Sequence, residues 1–90
     1  MRVLSDEELE KVGVVTHFFA KIAVAVVDLS GALATGDHIL IRGATTNLDQ
    51  TVDSMQIDRV EIKEASAGQS VGLKVNDRVR EGDILYKIVK

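Results

Sequence analysis

The two histidines are the residues of this sequence best suited to metal or acid–base chemistry. His17 and His38 could join Asp28 or Asp37 around a metal ion. No helical or close spacing of ligands supports that use, so we interpret both as strand or surface histidines without a ligand. The sequence therefore predicts no metal site and no cofactor.

The serines are the candidate nucleophiles. Ser54, Ser66 and Ser70 each offer a hydroxyl, but a hydrolase also needs a base that activates the hydroxyl and a group that orients the base. No recognisable nucleophile turn surrounds any of the three. We therefore predict that the chain is not an enzyme.

The composition predicts one small domain with an aliphatic core. Of the 90 residues, 46% are hydrophobic but only 3% are aromatic, so Val, Ile, Leu and Ala must fill the interior. The longest apolar run, residues 22–27, is far shorter than the roughly 20 residues of a membrane-spanning helix, so no membrane contact is expected. The lack of cysteine and the acids at residues 6–10 favour a cytoplasmic protein without a signal peptide.

Hydrophobic alternation and turn residues divide the chain into a leader and a β domain. Residues 1–11 are predicted to be a short helical or extended leader, with Ser5 as the N-cap and Glu8 completing a capping box. Residues 12–90 form the domain. Its six strands are predicted over residues 12–19, 22–29, 38–42, 49–57, 70–75 and 84–89.

Two Gly-Asp pairs indicate how this domain is built. Gly36-Asp37 and Gly82-Asp83 each precede an apolar segment, and a glycine followed by an aspartate is typical of a tight turn. We predict an all-β fold, a single six-stranded closed antiparallel β-barrel. Closure is favoured because it removes the unpaired edges of an open sheet.

Four side chains test this assignment. Met55 and Val26 are predicted to lie in the core, so Val26→Asp should unfold the domain. Phe18 and Phe19 should point to opposite faces of a regular strand, which leaves one of them exposed unless the leader or a partner protein covers it. The loop Thr45-Thr46-Asn47 is interpreted as solvated.

Four motifs occur in an order that resembles a known family. They are Leu33-x-x-Gly36-Asp37-x-Ile39-x-Ile41, Val52-x-Ser54-Met55-Gln56, Ala65-x-Ala67-Gly68-Gln69-x-Val71-Gly72-Leu73 and Arg80-Glu81-Gly82-Asp83-Ile84-Leu85. Together they resemble the second, β-barrel domain of translational GTPases such as elongation factor Tu, and the small translation elongation factor-like proteins. The likeness covers residues 12–90.

This resemblance implies a binding site. In the elongation factor the barrel helps to hold the aminoacyl end of tRNA, and Gln56, Ser70 and His17 fall near the positions that border that pocket. All three differ from the elongation factor's residues, because Gln56 replaces a glutamate, Ser70 an asparagine and His17 an aromatic residue. The chain has no phosphate-binding loop, so no nucleotide binding by this chain is expected.

The distribution of charge gives a second candidate binding surface, a local basic face. Lys74, Arg78 and Arg80, with Lys87 and Lys90, could meet RNA, although Asp77, Glu81 and Asp83 lie among them and favour an ordinary mixed surface. The net charge of −3 also gives no bulk attraction to nucleic acid.

These observations lead to two functional hypotheses. The first is a non-catalytic module that binds RNA, tRNA or a ribosome-associated protein. The alternative is a protein-interaction module that docks onto a partner enzyme or GTPase.

Overall fold

The computed structural model of the protein describes residues 9–88, which form ten β-strands and no helix. No helix within these residues is long and apolar enough to cross a membrane. The all-β prediction is confirmed. The strands are β1 (Leu9–Phe19), β2 (Val24–Leu29), β3 (Leu33–Ala34), β4 (His38–Arg42), β5 (Asn47–Thr51), β6 (Met55–Ile57), β7 (Val60–Ile62), β8 (Glu64–Ala65), β9 (Ser70–Lys74) and β10 (Ile84–Ile88).

Eight of the strands form one antiparallel sheet in the order β5-β4-β10-β1-β2-β9-β6-β7, and β3 pairs with β8 in a separate ribbon. The sheet ends at β5 on one side and at β7 on the other, so the closed six-stranded barrel is wrong. The predicted strand over residues 49–57 is two strands, β5 and β6. Val52 bonds to the turn before β4, and the carbonyl oxygen of Ser54 already accepts from the N–H of Lys74, the last residue of β9.

The side chain of a buried glutamine links β5 to the end of β9, where no backbone pairing connects the two strands. Gln50, on β5, is only 6% exposed. Its side-chain Nε2 donates to the carbonyl oxygen of Lys74 at 3.0 Å, and its Oε1 accepts from the N–H of Asn76 at 2.7 Å. These two bonds satisfy a buried amide and hold β5 beside the chain that leaves β9, so the sheet curls around its core without closing its ladder.

Three turns of the same construction precede β4, β9 and β10. They span residues 34–37, 66–69 and 80–83, and the glycine at the third position of each has a φ of +92° or +93°. The N–H of the fourth residue donates to the carbonyl of the first, and the side-chain oxygen of the fourth accepts from the N–H of the first at 2.8–2.9 Å. Both Gly-Asp turns are confirmed, and Gly68-Gln69 is a third copy with glutamine in place of aspartate.

Strand β2 buries one face, and Val26 lies on the other. Ala25 and Val27 are fully buried and Leu29 is 5% exposed, whereas Val24 and Val26 are half-buried on the outer face. The prediction that Val26 lies in the core is therefore wrong. Met55 is fully buried, as predicted.

A β-bulge in β1 decides which phenylalanine faces the core. The register of β1 against β2 shifts between Val15 and His17, so Val15 and Phe18 both point inward although they are three residues apart. Phe19 is 47% exposed, which confirms that one of the two phenylalanines is not covered by the described residues. The strand begins at Leu9, so residues 9–11 are strand and not leader helix; residues 1–8 lie outside the described residues.

Candidate functional site: an apolar groove on the outer face

An open groove of about 460 Å³ runs across the outer face of the sheet. It crosses β2, β9 and β6, which are neighbours in the sheet, and the ends of the β1–β2 and β6–β7 hairpins. Its lining residues are Phe19, Ile22, Val24, Val26, Gln56, Asp58, Arg59, Ser70, Val71 and Gly72.

The wall of the groove on the β1–β2 side is apolar because the outward positions of this hairpin carry large hydrophobic residues. Phe19 lies opposite Val24 in the register, and Ile22, in the connecting turn, is 58% exposed. The turn is tight, since Ala23 has a φ of +56°. Large hydrophobic side chains that cluster in the open usually mark a surface that another molecule covers.

The floor of the groove is backbone. Gly72, on β9, lies between Val26 of β2 and Gln56 of β6 in the register. A Cβ atom placed there would lie 3.3 Å from Val24 Cγ1. The absence of a side chain therefore keeps the groove open over β9.

The opposite wall is polar. Asp58 and Arg59 both have positive φ, at 52° and 68°, as the two central residues of a type I′ hairpin turn require. Ser70 Oγ donates to the carboxylate of Asp28, which leaves that hydroxyl committed. An apolar patch bordered by polar residues is the usual composition of a protein–protein interface.

Three of the predicted site residues come together here. Gln56 and Ser70 line the groove. The ring of His17 lies 4.3 Å from that of Phe19, centroid to centroid, and His17 Nδ1 is 3.3 Å from a carboxylate oxygen of Glu81. Lys74, also predicted, lies on β9 opposite Val24 but does not line the groove.

Arg78 and Arg80 lie in a second groove of about 330 Å³, between the β4–β5 loop and the segment after β9. Of the residues proposed for a local basic face, Arg78 and Arg80 line this groove and Lys74 does not. The prediction that the loop Thr45-Thr46-Asn47 is solvated is wrong for Thr46, which is only 7% exposed. The second groove is lined by Thr45, Thr46, Asn47, Leu48, Asp77, Arg78 and Arg80.

The polar contacts of the histidines and those of the serines are separate. Between residues 9 and 88, the carboxylates nearest the histidines are those of Glu81 and Asp49, and no serine hydroxyl bonds to a histidine. The same residues hold no group of three or more His, Asp or Glu side chains placed to bind a metal ion.

Sequence reasoning missed the residues that make the groove apolar. Val24, Val26 and Ile22 were assigned to an interior strand, and only the two adjacent phenylalanines gave a signal of an exposed apolar side chain.

The sequence comparisons point to peptidases. The chain is 43% identical over 77 residues to an uncharacterized protease of Methanocaldococcus jannaschii and 33% identical over 81 residues to a collagenase of Porphyromonas gingivalis. These matches cover 84% and 88% of this chain. The chain spans only about a fifth of the length of either relative, 19% and 22%. No protein-family profile matches it.

The structural comparisons agree on the fold. The C-terminal domain of a putative U32 peptidase of Geobacillus thermoleovorans superposes with a TM-score of 0.81 at 21% identity, over 87% of this chain and 91% of that domain. The GDP-bound initiation factor aIF5B of Aeropyrum pernix superposes with a TM-score of 0.61 at 19% identity, over 91% of this chain but 14% of the factor.

These findings overturn the resemblance to translation factors. The relatives detected by sequence are a protease and collagenases, and the better structural match is a peptidase domain. The initiation factor shares the fold at a lower TM-score. The translation role is therefore wrong, because the turn motifs that suggested it belong to the fold and not to a function. The predicted RNA, tRNA and ribosome partners lose their support with it.

Proposed function

We propose that this protein is a non-catalytic accessory domain that docks, through the apolar groove, onto the catalytic part of a U32-type peptidase. The observation that carries the proposal is the 43% identity to a stretch that makes up only 19% of a protease. In that relative, about four-fifths of the chain lies outside the matched segment and would carry the catalytic residues.

The groove supports this choice of partner. Phe19 and Ile22 are 47% and 58% exposed beside Val24 and Val26. An exposed apolar surface of this kind is expected on a domain that packs against another domain. The Geobacillus domain, 91% of which superposes on this chain, is the C-terminal domain of a putative U32 peptidase. The proposal keeps the predicted alternative, a module that docks onto a partner enzyme. The cytoplasmic location stays a prediction.

The test uses the Methanocaldococcus protease with its matching 77-residue segment deleted. Binding of the 90-residue chain to this truncated protease is measured by isothermal titration calorimetry. We expect a saturable complex. Ile22→Asp should weaken it by at least about tenfold, because an exposed apolar contact is replaced by a charge that must be desolvated.

Val60→Asp is the matched control, since Val60 is 63% exposed but does not line the groove. It should bind as the unsubstituted chain does. A second readout does not depend on the truncated protease folding. A cleavage site placed at the boundary of the segment in the full-length protease should yield two pieces that co-elute in gel filtration. Separation of the pieces, or equal weakening by both substitutions, would contradict the proposal.

A further inference from the structure

The second groove is lined by different residues and has a different chemistry. We infer that the groove between Thr46, Arg78 and Arg80 binds a carboxylate group of a polypeptide, either an acidic side chain or a C-terminus. This inference goes beyond the docking function and does not depend on it, because no residue lines both grooves.

Two exposed arginines share the second groove. Val79 is 2% exposed and packs into the core, whereas Arg78 and Arg80, which flank it, are both exposed. Both arginines line the groove. Because only one residue separates them, their long, forked side chains can reach the same carboxylate.

These two charges have no acidic partner close by. Among residues 9–88, no carboxylate oxygen lies within 4 Å of a nitrogen of either guanidinium. Asp77 also lines the groove, but its Oδ1 accepts from the N–H of Arg78 at 2.7 Å. Asp83 is buried, and its Oδ2 accepts from the N–H of Arg80 at 2.8 Å. The lining side chains therefore carry a net charge of +1, two arginines against one aspartate.

A buried threonine provides the second, independent observation. Thr46 is 7% exposed and lines the groove, and its side chain makes no hydrogen bond with any of the described residues. Buried polar groups normally have a partner. A ligand oxygen in the groove would supply one, and the neighbouring Asn47 amide offers further donors.

The ligand is a single carboxylate and not a polyanion. The chain has a net charge of −3, so its overall field repels nucleic acid and other densely charged chains. A local pair of arginines still favours one planar carboxylate, which matches the guanidinium fork. A volume of about 330 Å³ accommodates one side chain or a chain end.

The test is a titration of the ¹⁵N-labelled 90-residue chain, followed by NMR. The probes are Ac-Ala-Glu-Ala-NH₂ for a side-chain carboxylate, Ac-Ala-Ala-Ala-OH for a terminal carboxylate, Ac-Ala-Gln-Ala-NH₂ as a neutral control, and inorganic phosphate. We expect saturable shifts of the Thr46, Asn47, Arg78 and Arg80 amides with one or both carboxylate peptides. The peptide that binds more tightly identifies the source.

Substitutions separate the contacts. Arg78→Gln or Arg80→Gln should weaken peptide binding by about tenfold, and Thr46→Val, which keeps the shape of the side chain, by about threefold. Lys74→Gln is the matched control, because it removes the same charge outside the groove and should leave binding unchanged. The inference is overturned by an absence of saturable shifts, by binding that survives both arginine substitutions, or by tighter binding of phosphate than of either carboxylate.

Discussion

The two faces of strand β2 both carry valines but differ in burial. Ala25, Val27 and Leu29 point inward and are at most 5% exposed, whereas Val24 and Val26 point outward into the open groove. The difference lies in what covers each face. The curled sheet covers the inner side chains almost completely, whereas the described residues cover the outer ones only in part. Hydrophobicity alone therefore does not distinguish a core position from a docking surface.

The sharpest test of this comparison is a charge on each face of β2. Val27→Asp should unfold the domain, since an unpaired buried carboxylate costs several kcal/mol, comparable with the roughly 5 kcal/mol that holds such a small domain together. Val26→Asp should remain folded, because its carboxylate can reach water. Circular dichroism during urea unfolding measures both. Unfolding of both variants would place Val26 in the core and refute the assignment of faces.

A smaller effect is expected on strand β6, where inner and outer residues are adjacent. Met55→Ala removes a fully buried side chain and should lower the free energy of unfolding by about 2–5 kcal/mol. Gln56→Ala, on the groove side, should change it by no more than about 0.5 kcal/mol. If the two variants unfolded at the same urea concentration, Met55 and Gln56 would not lie on opposite faces of β6, one in the core and one in the groove.

The bulge in β1 predicts a difference between two adjacent phenylalanines. Phe18→Ala should destabilise the domain by about 2 kcal/mol, because the side chain packs partly buried against the core. Phe19→Ala should cost less than about 1 kcal/mol, since 47% of that residue is already exposed. Thermal unfolding of the two variants checks the order, and the reverse order would show that the bulge is misplaced.

The smallest stability change is expected at the floor of the groove. In Gly72→Ala the added Cβ would lie 3.3 Å from Val24 Cγ1, a side chain with room to shift outward, so stability should change by less than about 1 kcal/mol. Binding to the truncated protease should nevertheless weaken, because the methyl group fills the groove. Unchanged calorimetric affinity would show that the partner does not reach β9.

Local rules predicted the turns and most of the strands. Gly36-Asp37 and Gly82-Asp83 form the turns predicted for them, and the strand over residues 38–42 has the predicted bounds. These features depend on neighbours in the chain, since a positive φ favours glycine and a short polar side chain bonds back to the same turn. The same rules failed for residues 49–57, because the break at Val52 and Ser54 is set by hydrogen bonds to residues 36, 37 and 74.

The candidate sites were predicted only in part. His17, Gln56 and Ser70 lie in or beside one groove, but Arg78 and Arg80 lie in another, and the apolar wall was assigned to the core. The bulge in β1 and the break between β5 and β6 decide which side chains face the core and which line a groove. Both depend on which strands become neighbours, which the alternation of side chains does not encode.

By itself, the sequence determined the all-β class, the glycine turns and an aliphatic core, because each follows from local conformational preference and composition. The tertiary structure decided that the sheet stays open at β5 and β7, that Val26 faces outward and that Thr46 is buried beside two arginines. These outcomes required contacts between residues far apart in the chain, such as Gln50 with Lys74 and Asn76, and such contacts exist only once the sheet has curled.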